Sequence, residues 1–194
     1  RRRNSVVSIP FQTILVAIDE SNVSEKAFAA AKELAKALRA KLIVVHVLDP
    51  HNSRSPQPLY SYSNGNSESE NALTDQSIRE RYEREWANFV SYYESLLKQK
   101  VDEATAAGIE AESLQPNGAA GSVLCEVAKA TNASLMVIGS HQRRGMAEIM
   151  LGSTSNYITH YAPCSVMVVS ANDTGETPKP EASEISADRD AAVI

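Results

Sequence analysis

Cysteine is scarce in this chain: among 194 residues only Cys125 and Cys164 carry a thiol, far apart and each in apolar surroundings. That scarcity argues against a disulfide framework. It fits a reducing, cytoplasmic setting in which both side chains pack as small hydrophobes. Long apolar runs are missing too. None approaches the roughly 20 residues that a membrane-spanning helix needs, and Arg1-Arg2-Arg3-Asn4-Ser5 lacks the apolar middle of a secretory signal. Positive charge is in deficit, with 19 Lys and Arg against 24 Asp and Glu for a net charge of −5. A nucleic-acid binder usually presents a basic face, so no nucleic-acid partner is expected. No phosphate loop ending in Lys-Ser or Lys-Thr appears, and no His, Cys, Asp and Glu cluster has metal-ligand spacing. The first strand is not followed by Gly-x-Gly-x-x-Gly, which argues against a dinucleotide oxidoreductase. No catalytic constellation is visible.

What is present is an alternation of apolar runs and amphipathic stretches. At this length one domain with a full core is expected. Residues 1–10 are polar and basic and read as a flexible arm. Phe11 to Ile18 (FQTILVAI) is β-branched and apolar, which suits a central parallel strand buried on both faces. After Asp19-Glu20-Ser21, Asn22 with Glu25 resembles a helix-capping pair. Ala27, Phe28, Ala31, Leu34, Ala35 and Leu38 then mark one helix face. Lys41 to Leu48 (KLIVVHVL) is a second buried strand, completing a right-handed βαβ unit. His46, inside it, reads as a satisfied core histidine.

Residues 49–75 are rich in Ser, Asn and Pro and read as a flexible insertion. A long helix is expected over 76–107, with Ile78, Tyr82, Trp86, Phe89, Tyr93, Leu97, Val101 and Ala104 as a core-facing stripe and Gly108 as its stop. Residues 109–115 read as an edge strand, and Gly121-Ser122 opens a helix. Leu135 to Gly139 is the fourth strand, a helix continues to Pro163, and Ser165 to Val169 is the fifth strand. From residue 171 the apolar pattern stops, and 171–194 is read as a disordered acidic tail. The expected fold is α/β, a doubly wound five-stranded parallel sheet with helices on both faces. With strand 1 central, its ligand crevice lies between Asp19 and Gly139, where strand order reverses.

That crevice meets the most informative stretch, Met136 to Ser155 (MVIGSHQRRGMAEIMLGSTS). A buried strand stops at Gly139, a basic turn follows, and Gly152-Ser153-Thr154 opens a helix. Unpaired N–H groups and the dipole at a helix start attract anions, and glycine lets a phosphate approach the backbone. By spacing alone, a purely structural strand–loop–helix connection is an equal alternative.

The strand ending in Asp19, the His46-Val47 pair and the block GSTSNYITHYAPCSVMVV together resemble the universal stress protein family, over about 11–170. The fold implied is Rossmann-like, of the adenine nucleotide alpha hydrolase type. The family signature is G-x2-G-x9-G-[S/T]. Gly139 and Gly152-Ser153 match it, while its second glycine is Gln142 here. The resemblance implies ATP or AMP as ligand, with Mg as an optional companion. Ala17, Asp19 and Val47 would form the nucleoside side, with Ile138, Gly139, Gln142, Arg143, Gly152, Ser153 and Thr154 toward the phosphates. It further implies a homodimer joined through strand 165–169, a role in stress response or signalling with an unknown protein client, and slow ATP hydrolysis at most. Gln142 keeps an alternative open, a nucleotide-free dimeric scaffold of the same fold.

Overall fold

The computed structural model describes residues 11–52, 54–57, 71–140 and 152–170, with only the backbone described for 71–75. Five strands alternate with four helices: β1 (Thr13–Ala17), α1 (Asn22–Leu38), β2 (Lys41–Val45), α2 (Asn71–Ala106), β3 (Ala111–Leu114), α3 (Ala120–Ala130), β4 (Leu135–Ser140), α4 (Ser153–Tyr161) and β5 (Ser165–Ser170). All pairings are parallel, in the order β3-β2-β1-β4-β5. The expected doubly wound α/β sheet is what forms, with β1 central.

Side chains alternate across a strand, and the sheet therefore builds two cores. Ile14, Val16, Ile18, Leu42, Val44 and Val137 pack against Ala27, Phe28, Ala31 and Ala35 of α1 and Leu97 and Ala104 of α2. On the other face Leu15, Ile43, Val45, Met136 and Ile138 meet Leu124 and Ala128 of α3 and Ile158 of α4. The runs lack polar alternation because both faces are covered. Cys125 and Cys164 are free and half-buried against this second core, and burial raises both thiol pKa values.

Three sequence expectations shift. The α1 cap is Ser21, not Asn22: the Ser21 side chain accepts from the Ser24 N–H at 3.2 Å, while the Asp19 carboxylate fixes Ser21 in turn. Ladder pairing of β2 stops at Val45 rather than Leu48, because β1 leaves the sheet; Leu48 keeps a single bridge to Asn117. Finally, α2 starts at Asn71, inside the stretch read as an insertion. At 1.5 Å per residue its 36 residues span about 54 Å, against about 17 Å for a five-residue strand. Only Tyr93, Leu97 and Ala104 of its apolar stripe are fully buried. Ile78, Tyr82, Trp86 and Phe89 are half-buried because the helix outruns the sheet. At its other end Gly108 takes φ +81°, the left-handed turn that ends the helix.

Candidate functional site

In a parallel sheet with this order, β1, β2 and β4 end side by side, and the chain departs in different directions on either side of β1. Asp19 lies two residues past β1. Its N–H donates to Ser24 Oγ at 2.8 Å, which ties it to the first turn of α1. Gly139, near the end of β4, meets the same turn. A Cβ there would lie 3.1 Å from the carbonyl carbon and oxygen of Val23. The close approach of α1 thus leaves little room for a side chain at 139, independently of any phosphate. On its other side, Ser155 Oγ donates to Gly139 O at 3.4 Å, which pins the start of α4 to the end of β4. Asp19, the α1 start, Gly139 and the α4 start thus form one continuous rim.

The Asp19 carboxylate is about a third exposed. One oxygen accepts from the N–H and hydroxyl of Ser21, and the other accepts from Arg54 Nη1 at 3.0 Å. Arg54 comes from the segment read as a flexible insertion. Its described residues 49–52 and 54–57 form a hydrogen-bonded turn. Ser55 Oγ donates to Asp49 O at 2.6 Å, and the two N–H groups of Gln57 Nε2 are shared among the carbonyls of Pro50, Asn52 and Ser55, each 3.1 Å away. Asp49 anchors the turn to the body, because its Oδ2 accepts from the Ala120 N–H at 3.0 Å, capping α3. Residues 58–70 lie outside the described residues.

Val47 sits two residues past β2. The His46 N–H donates to Leu114 O and the Leu48 N–H to Pro116 O, both toward β3. By the alternation of a parallel ladder, the Val47 backbone groups face the β1 side, which β1 has vacated by turning at Asp19. The Val47 side chain packs against the α3/α4 core. Ala17, paired with Val45, closes the floor between them.

His46 is buried and stacks on Tyr93 with ring centroids 3.4 Å apart and planes 8° off parallel. It is a core histidine as expected, and its Nδ1 has no hydrogen-bond partner among the described residues. Burial lowers its pKa to about 4, with the Asp19 carboxylate pulling weakly the other way. Burial likewise pushes Tyr93 up to about 12, helped by Glu20 and Asp19.

The opposite side of the crevice is the N-terminus of α4. Gly152 is its N-cap residue, and among the described residues no side chain caps it, unlike α1 with Ser21 or α3 with Asp49. Gly152 has nothing within 4 Å of where a Cβ would stand, and Ser153 is exposed beside it with Thr154 half-buried. Ile138, by contrast, turns its side chain into the core. The hydroxyls of Ser140 and Ser170, paired in register at the ends of β4 and β5, are buried and have no hydrogen-bond partner among the described residues. Gln142 and Arg143, together with His141, Arg144 and Gly145, lie outside the described residues. Among the described residues no group of three or more His, Cys, Asp and Glu could hold a metal ion, and no helix is long and apolar enough to cross a membrane.

Residues 10–170 match the model of the universal stress protein family. The chain belongs to that family. The universal stress protein YxiE of Bacillus subtilis is 31% identical over 159 residues, covering 82% of this chain and 99% of that one. Among solved structures, a universal stress protein in complex with cAMP superposes with a TM-score of 0.53 at 24% identity, covering 82% of this chain and 97% of the other. A family member from Arabidopsis thaliana with AMP bound gives a TM-score of 0.51 at 19% identity, covering 87% and 97%. At those identities the likeness speaks for the fold alone. Family resemblance located Asp19, Val47, Gly139 and Gly152 along the sequence, but Arg54, Asp49 and Ser21 escaped it. Only the short Asp-x-Ser spacing of Asp19 and Ser21 offered a local signal, that of a side chain turning back onto its own backbone.

Proposed function

We propose that this chain binds an adenine nucleotide, ATP or AMP, in the crevice between Asp19, Val47 and the start of α4, and serves in stress response or signalling. The observation that carries the reading is the α4 N-terminus. Among the described residues it has no side-chain cap, opens at a glycine with free space where a Cβ would stand, and touches β4 next to the Asp19 rim. Such an end attracts phosphate through unpaired N–H groups and the helix dipole. At the other end, Asp19 supplies acceptors for ribose hydroxyls, and the Val47 main chain offers a donor and an acceptor to an adenine edge. The cAMP and AMP complexes of family members with this fold add support. Gln142 and Arg143 would stand toward the phosphates, Arg143 with a charge-assisted contact. Mg would reach the site with ATP, held chiefly by phosphate oxygens.

The two ends of the site are expected to fail differently. Asp19→Ala removes ribose acceptors and should weaken adenosine, AMP and ATP alike, by roughly tenfold to a hundredfold for a hydrogen bond to a charged acceptor. Ser153→Ala with Thr154→Ala removes phosphate donors, weakening ATP while sparing adenosine. Calorimetric titration of each variant with adenosine and ATP checks this. Equal losses for both ligands in both variants would contradict the assignment of the two ends.

A further inference from the structure

The nucleoside end of the crevice already holds a cation. Arg54 Nη1 donates to Asp19 Oδ2 at 3.0 Å, while Ser21 takes the other carboxylate oxygen through its N–H and hydroxyl. A ribose diol approaching Asp19 therefore meets a carboxylate with both oxygens engaged. The Ser21 contacts are part of the α1 cap and are made within two residues, so they are costly to give up. The Arg54 contact is different. It reaches across 35 residues between two side chains that are both more than a third exposed, and an ion pair so placed contributes little. The turn bearing Arg54 is itself built, by the Gln57 side-chain amide shared among three carbonyls, the Ser55–Asp49 bond and the Asp49 anchor on α3. Arg54 is thus delivered to Asp19 by a structured segment and held there weakly.

We propose that Arg54 is a specificity-determining latch on Asp19, displaced only by ligands whose vicinal hydroxyls compete for the same carboxylate oxygen. The inference rests on the nucleotide-binding reading above. The latch sets a threshold: a ligand without the diol gains nothing from opening it, and a ligand with the diol binds more weakly than Asp19 alone would allow. Salt, which screens the exposed pair, loosens the latch.

The test uses the full chain, Arg54→Ala and Arg54→Met, the second keeping much of the apolar stem. Each is titrated with adenosine and with 2′,3′-dideoxyadenosine at low and high potassium chloride. Adenosine should bind both variants about two- to fivefold more tightly than the unmodified chain, with dideoxyadenosine unchanged. The gain from added salt should be confined to the unmodified chain. Tighter adenosine binding in the variants alone upholds the latch and the nucleotide site together. Weaker adenosine binding would make Arg54 a ligand contact, and parallel changes for both nucleosides would make it a support of the turn; either overturns the proposal, as does no change. If neither the unmodified chain nor the variants bind adenosine, AMP or ATP, the nucleotide reading itself fails and the latch with it.

Discussion

At the scale of single residues, His46 makes the sharpest pH prediction. Buried and stacked on Tyr93, it resists protonation in the fold, and desolvation sets its pKa at about 4 where an unfolded histidine titrates near 6.5. Between those values the unfolded chain holds more protons than the folded one, so stability falls as pH drops from 6.5 toward 4 and is indifferent to this residue above 6.5. At pH 4.5 the loss assignable to His46 is about 2–3 kcal/mol. His46→Phe keeps a ring against Tyr93 and removes the titration. Denaturant unfolding at pH 7 and pH 4.5 should therefore show a smaller acid loss in the variant by that amount, and equal losses would contradict the assignment. Gly139 carries a second residue-scale lesson. Its match to the family signature suggested phosphate access, yet the Val23 backbone 3.1 Å from its virtual Cβ gives tight packing as a second reason for a glycine there.

At the scale of elements, the strands were legible because burial on both faces leaves an uninterrupted apolar run, as in Ile14-Leu15-Val16 and Leu42-Ile43-Val44. The start of α2 was not, because Asn71 to Asp75 carries little apolar periodicity and the helix outruns the sheet that would impose any. The turn at 49–57 was illegible for a related reason. Its order comes from side-chain to main-chain bonds of Asp49, Ser55 and Gln57, residues as common in disordered loops as in built ones. The site divided in the same way: Asp19 and Gly152 follow strand and helix boundaries, whereas Arg54 arrives from a segment with no period to read. Asp49 offers the test at this scale. Its carboxylate caps the Ala120 N–H from 71 residues away and anchors the turn. Asp49→Ala should lower stability by about 1 kcal/mol, as for loss of a helix N-cap. It should also expose the turn after Pro50 to limited proteolysis. An unchanged denaturation midpoint together with an unchanged cleavage pattern would show that α3 does not depend on it.

At the scale of the whole molecule, β5 is an edge strand with Met167 38% exposed, and its outer end lines a groove of about 630 Å³ with Lys26, Ala29 and Ala30 of α1. An edge presenting unpaired main-chain groups and apolar side chains favours pairing, and we propose that two copies join there. Val168→Lys should then shift the assembly to monomer. Native mass spectrometry of the full chain, purified from cells without added ligand and again after incubation with ATP or AMP, reads assembly and occupancy together. The account predicts a dimer carrying an adenine nucleotide, with the bound mass lost in Asp19→Ala. A protein that stays free of nucleotide after incubation with millimolar ATP or AMP, with Gln142→Gly equally bare, would contradict it.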